Sequence, residues 1–169
     1  MDQEVRLTWC GPFSFYPDQG VPCAIDDEFT QTHCGVYLWT FEHEGGYLVN
    51  YIGKTRRPFA VRFREERDYE LTQSLKVDVD LLLQGIRKPV KPHRDRVVEV
   101  LKAYRIFTAP LSPDLGESAF LGIEGTLINA FHEAGEKYSS FLWNPRCPRR
   151  FEGKVIIDPG KLLGLSDRP

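Results

Sequence analysis

The stretch Gly35–Arg67 reads GVYLWTFEHEGGYLVNYIGKTRRPFAVRFREER. Gly35-Val36-Tyr37-Leu38-Trp39 and Tyr47-Leu48-Val49-Asn50-Tyr51-Ile52 are rich in the aromatic and β-branched side chains that fit a pleated strand. Between them Glu42-His43-Glu44-Gly45-Gly46 is polar and carries the Gly-Gly pair that closes hairpins. Thr55 can then cap a helix, with Pro58 placed where a missing N–H costs nothing. Phe59 and Phe63, four apart, would share its buried face. The stretch therefore predicts strand, turn, strand, helix, with Tyr37, Tyr51, Lys54 and Arg62 gathered near one end.

The flanks are read outward from this unit. Residues 1–34 predict a short β-rich extension, with strands at Val5–Trp9 and Phe13–Phe15 and a loop over 17–30, where two prolines, a glycine and the acidic Asp26-Asp27-Glu28 fall. On the other side, Ser74–Gln84 fits either a strand (Val77, Val79, Leu81 alternating) or a helix, and Arg87–Arg96 is a basic linker bounded by Pro89 and Pro92. Arg96–Ala103 fits a turn or two of helix, and Tyr104–Ala109 alternates as a strand. Ser139–Pro145 is expected to be extended, Glu152–Asp158 to be a last strand, and the tail from Pro159 (159–169) to be loop.

The helix over Gly116–Ala134 carries Phe120, Leu127, Ile128 and Phe131 on one face and stops at Gly135. Glu124 breaks its pattern. It lies four residues after Phe120 and four before Ile128, and so projects from the apolar face. A carboxylate there is costly unless paired, hydrogen-bonded or bound to a metal. The alternative is a glutamate that snorkels out at the edge of the stripe.

At 169 residues, with 41% hydrophobic and 12% aromatic residues, the chain is expected to fold as one domain with a real core. No apolar run approaches the roughly 20 residues of a membrane span, and the acidic start lacks the parts of a signal peptide, which predicts the cytosol. Cys10, Cys23, Cys34 and Cys147 form no Cys-x-x-Cys pair and are expected to be reduced thiols rather than zinc ligands or disulfides. Net charge is only −2, but it is segregated. Residues 1–53 hold one basic and eight acidic residues; residues 54–105 hold fourteen basic and eight acidic. Such a distribution suits a protein that offers one basic face to phosphates.

GVY, a thirteen-residue spacer, YIGKT, an arginine eleven residues after the second tyrosine, a helix-borne glutamate and a late asparagine resemble, as an ordered set, the GIY-YIG nuclease family. The resemblance spans Gly35 to Asn144. It implies an α/β (α+β) fold, a small central antiparallel sheet flanked by helices, over residues 35–158. It also implies a metal-dependent endonuclease, a hydrolase of DNA phosphodiesters, with one Mg²⁺ or Mn²⁺ per active site. By position, Tyr37 would help activate the attacking water and Tyr51 would hold water or phosphate. Lys54 would lie near the nucleophile, Arg62 would clamp the scissile phosphate, Glu124 would bind the metal, and Asn144 takes the place of the late asparagine. Tyrosine, with a pKa near 10, becomes a base at neutral pH only if cations lower that pKa, as Lys54, Arg62 and the metal could.

The sequence departs from the family at Glu66, four residues after the arginine, where many members carry His or Tyr. An acid there is not expected to act as a neutral donor. Arg62 and Arg64 both follow Phe59, and the spacing favours Arg62 as the inward one. Arg56, Arg57, Arg64, Arg67, Arg146, Arg149 and Arg150 are expected to track the backbone of DNA, with RNA as the alternative partner. Two other readings are a nucleic-acid-binding module that no longer cuts, which Glu66 favours, and a partner-binding α/β domain in which Glu124 is ion-paired to an arginine. The sequence sets neither the recognition site nor the oligomeric state.

Overall fold

The computed structural model describes residues 3–73 and 94–164. The expectations for Ser74–Gln84 and for most of the Arg87–Arg96 linker lie outside the described residues. Strands β1 (Glu4–Leu7) and β2 (Cys10–Phe13) and the short helix α1 (Glu28–Thr32) precede the hairpin of β3 (Gly35–His43) and β4 (Gly46–Thr55). Then come α2 (Phe59–Gln73), α3 (Arg94–Ala103), β5 (Arg105–Pro110), α4 (Glu117–Glu133), α5 (Glu136–Ser139), β6 (Lys154–Ile157) and β7 (Leu162–Leu163).

The hairpin is the centre of a five-stranded sheet in the order β2-β5-β3-β4-β7. Its turn is the two-residue kind: His43 pairs with Gly46, and Glu44 and Gly45 both have positive φ (48° and 78°). The sheet is antiparallel except at β7, which runs parallel to β4. β3 alternates strictly. Tyr37, Trp39 and Phe41 pack on one face with Phe15, Phe59, Phe63, Val100, Leu101 and Tyr104. Val36 and Leu38 pack on the other with Phe120, Ile123, Leu127, Ile128 and Phe131 of α4. Two apolar layers thus sandwich the sheet, α2 and α3 on one side and α4 on the other, which is the expected mixed α+β architecture.

Several local expectations are corrected. Residues 1–34 are not an appendage: β2 is the edge strand beside β5, and β1 forms a separate parallel pair with β6. The stretch read as loop contains α1, because Asp27 accepts the Phe29 N–H (3.0 Å) and caps it. Thr55 does not cap α2. Its hydroxyl accepts the Arg57 N–H (3.1 Å) and donates to the Arg57 carbonyl (3.0 Å), a local turn that Pro58 and the helix then follow. Ser139–Pro145 begins in a helical turn rather than an extended run, and the tail from Pro159 contributes β7. Cys10, Cys23, Cys34 and Cys147 are free and each is partly exposed.

Candidate active site

The motif residues are brought together by one irregularity. Along the hairpin, Trp39 pairs with Tyr51 and Thr40 with Val49, so Asn50 is an extra residue in β4. This bulge reverses the alternation. Val49 and Ile52 consequently share the α4 face, and Tyr51 turns to the α2 face beside Tyr37. Tyr37 itself lies opposite Gly53, and a Cβ at Gly53 would sit 2.3 Å from the Tyr37 ring. The glycine of YIG is therefore the floor on which the tyrosine of GVY lies.

On that face α2 supplies the cations and acids. Phe59 and Phe63 stack at 5.9 Å and pack edge-on against Tyr37, and this phase points Arg62 and Glu66 at the tyrosine while Arg64 stays exposed. The Tyr37 hydroxyl donates to Glu66 Oε1 and accepts from Arg62 Nε (3.2 Å); Arg62 Nε also contacts Glu66 Oε1 (2.8 Å). Burial, partly offset by Arg62 and Tyr37, pushes the Glu66 carboxyl up to about 7. Burial opposes the charge of Arg62 as well, yet Tyr37 and Glu66 hold its proton more firmly than usual. The opposite outcomes follow from exposure: the Arg62 side chain is 36% exposed and that of Glu66 only 10%, so the desolvation cost falls on the acid. In these contacts Glu66 accepts through Oε1 and donates to no partner among the described residues.

Burial first, then Glu66 and Tyr51, raise the pKa of Tyr37 well above the ordinary value, and Arg62 does not reverse this. At 0% exposure it meets no solvent. Tyr51, only partly buried, is the tyrosine that reaches the surface. It lines a cleft of about 450 Å³ with Trp39, Arg62, Glu66, Tyr69 and Trp143.

The second half of the site comes from the α4 face. Gly125 lets the chain around Arg149 lie directly on α4, since a Cβ there would be 2.3 Å from the Arg149 carbonyl. Asn129 ties the same segment down through both ends of its amide, to the Cys147 carbonyl (2.7 Å) and N–H (3.2 Å). Glu124, half-buried, then sits within the electrostatic reach of Lys54, Arg149 and Arg62, which partly offset the upward push of burial on its carboxyl. Burial lowers the pKa of Lys54; Glu124 resists this and Arg56, Arg149 and Arg62 add to it. The ion pair that Lys54 makes is with Glu117, at the start of α4. The two halves meet across β4 between Tyr51 and Lys54, where Glu124 also acts on Tyr51.

Asn144 lies against the backbone of β4. Its Oδ1 accepts the Ile52 N–H (2.8 Å) and its Nδ2 donates to the Ile52 carbonyl (2.8 Å). With the Trp143 N–H on the Asn50 carbonyl (2.7 Å), this closes the edge of β4 beside Tyr51. Asn144 thus holds the strand that carries the site. Of the expected backbone-tracking residues, Arg57 is paired bidentately with Glu65, Arg67 with Asp68 and Arg150 with Glu133. Arg56 lies over the Phe120 ring (5.9 Å) at the Lys54 side of the site, and Arg64, Arg146 and Arg149 are exposed.

Among the described residues no three His, Cys, Asp or Glu side chains gather as a metal-binding group. One half-buried carboxylate fits a hard cation that keeps most of its waters and takes the rest of its ligands from a phosphate, and would hold it only weakly without one. Among the described residues no helix is long and apolar enough to cross a membrane. Compared with known proteins, the chain matches no family model, no curated sequence and no solved structure.

Proposed function

We propose that the protein is a metal-dependent endonuclease of the GIY-YIG kind, hydrolysing phosphodiester bonds of DNA. The observation that carries this reading is a half-buried carboxylate, Glu124, within the electrostatic reach of Lys54, Arg62 and Arg149 from three other segments. Such a cluster is costly to assemble for stability alone, and it suits an anion that brings its own ligands to the carboxylate. Arg62, fixed by Tyr37 and Glu66, presents the rest of its planar fork to phosphate oxygens. Lys54 and Arg149 add positive charge where the transition state gains negative charge. Tyr51, at the cleft, orients the attacking water. Glu124 would hold Mg²⁺ or Mn²⁺, one per site, whose charge would stabilise the leaving oxygen. A cytoplasmic location accompanies this reading.

The sealed Tyr37 favours a second reading, a nucleic-acid-binding module that does not cut. Incubation with supercoiled plasmid and Mg²⁺, beside Glu124→Ala and Tyr37→Phe, separates the two. Nicking that both variants lose supports the enzyme; salt-sensitive binding without nicking, across several DNA substrates and metals, supports the module; a protein that neither binds nor cuts DNA refutes both.

A further inference from the structure

The charged groups around Glu124 account for a phosphate but not for the cleft beside them, and this inference rests on the endonuclease reading for that phosphate. The cleft holds about 450 Å³, within the range of small-molecule sites. Its lining is largely aromatic: Trp39 from β3, Tyr51 from β4, Tyr69 from α2 and Trp143 from the segment after α5. We propose that the cleft receives one unpaired nucleobase, stacked on Tyr69 and Trp143, while a phosphate of the same strand lies on Arg62. The substrate class is then DNA with a base outside the duplex stack beside the cut, as in a single strand or a bulge.

The first support is the placing of the rings. Tyr69, at 61%, is the most exposed large apolar side chain among the described residues. A single exposed ring is ordinary, but this one lines the same cleft as a half-buried indole from a distant segment. Together they offer a flat guest more than one ring to stack on, and every base has a π-face.

The second support is that Arg62 and Tyr51 belong to both places. The Arg62 side chain lines the cleft, is 36% exposed, and lies within the electrostatic reach of Glu124. Tyr51 lines the cleft and feels the charge of Glu124 as well. A nucleotide joins phosphate to base through one sugar, so a phosphate on Arg62 brings a base to the rings.

Charge decides which end of the nucleotide enters. Glu65, Glu66 and Glu70 also line the cleft, three carboxylates against the one guanidinium of Arg62. That balance repels a phosphate backbone and accepts a neutral base, whose amino groups donate to carboxylate oxygens. A quaternary ammonium also suits rings and carboxylates, but Arg62, fixed at the cleft by Tyr37 and Glu66, opposes a cation. In a duplex the faces of each base are covered by its neighbours, so the base that enters must be out of the stack.

The test measures the binding of labelled DNA at fixed salt, with Ca²⁺ in place of Mg²⁺. The probes are a paired duplex, the same duplex with one bulged adenine, and that bulge with an abasic residue instead of adenine. The adenine bulge should bind more tightly than the paired duplex, and about 5- to 150-fold more tightly than the abasic bulge, the range for one base stacked on protein rings. Tyr69→Ala should lose a comparable factor on the adenine bulge and much less on the abasic one, so that the two losses do not add. Tyr69→Phe should restore the preference. Tyr69 lies outside the core, so its truncation leaves the packing intact, and Trp143→Ala and Trp143→Phe repeat the comparison at the second ring. Equal affinity for the adenine and abasic bulges, or a preference that Tyr69→Ala and Trp143→Ala both leave intact, overturns the base site; if Mg²⁺-dependent plasmid nicking persists beside it, the endonuclease stands. A base preference carried by both rings, without nicking in any condition, keeps the base site and overturns the endonuclease. Tryptophan fluorescence quenched by tetramethylammonium, with no base preference, assigns the cleft to a cation and overturns the proposal.

Discussion

Replacing Glu66 by glutamine should make the protein's stability less sensitive to pH, by an amount that follows from burial. The glutamine oxygen can still accept the Tyr37 hydroxyl, so the substitution removes mainly the ionisation. In the unfolded chain the glutamate titrates near 4.5; in the fold it titrates near 7. A displacement of about two and a half pH units, at about 1.4 kcal/mol each, is about 3.5 kcal/mol. The sign is fixed by which state binds the proton more tightly. Below 4.5 both states are protonated and the native contribution is fully present. As pH rises, the unfolded chain ionises first, the native state resists, and the contribution is lost through to about 7. Wild type should therefore lose roughly 2–3 kcal/mol relative to Glu66→Gln between about pH 5 and about pH 8.5. Urea unfolding of both proteins at several pH values measures it. Glu124, also pushed up by burial, is present in both and cancels. A stability difference that stays constant with pH, or that moves in favour of wild type as pH rises, would show that Arg62 compensates the anion fully and that the burial argument is wrong.

Four further outcomes follow from the same geometry. Gly53→Ala should destabilise by roughly 1–3 kcal/mol in thermal unfolding, because its methyl must displace the Tyr37 ring, and the cost should shrink when Tyr37 is also truncated. Asn144→Ala should cost about 2–3 kcal/mol, since it frees both the N–H and the carbonyl of Ile52, and a hydrogen-exchange measurement should place the loosening in β4. Glu124→Gln should leave stability at pH 8 unchanged or raised, as burial already disfavours its charge, while DNA nicking is lost. Arg149→Ala should weaken DNA binding and lower the slope of log K against log salt by about 1, whereas Arg57→Ala, whose guanidinium is held by Glu65, should change that slope less.

The fold was legible where periodicity and turn chemistry agree. Tyr37, Trp39 and Phe41 alternate with Val36 and Leu38, and a Gly-bearing polar break lies between the strands; these set the hairpin and the two faces of β3. The apolar stripe of α4 likewise exposed Glu124 as anomalous. What could not be read is non-local. β2 and β7 join the sheet through pairings with β5 and β4 that are distant in sequence, and neither is longer than four residues. The bulge at Asn50 leaves no compositional mark, yet it decides that Tyr51 faces Tyr37. Asn144 was picked out by position alone, and its work on the Ile52 backbone depends on a turn that begins at α5.

Glu66 shows most clearly why sequence and site diverge. It lies four residues after Arg62 on α2, a spacing at which an exposed ion pair is worth a few tenths of a kcal/mol. The pair exists, but Phe59 and Phe63 anchor α2 so firmly on the sheet that the glutamate is drawn beneath the surface with Tyr37. Burial pushes the carboxyl of Glu66 up and at the same time seals Tyr37, the residue that the motif names. The two tyrosines of the motif are thereby separated by depth: Tyr51 lines the cleft, while Tyr37 lies beneath it on Gly53, donating to Glu66 and accepting from Arg62. The bulge at Asn50 and the missing side chain of Gly53 set that arrangement, and neither is a property of the tyrosines themselves.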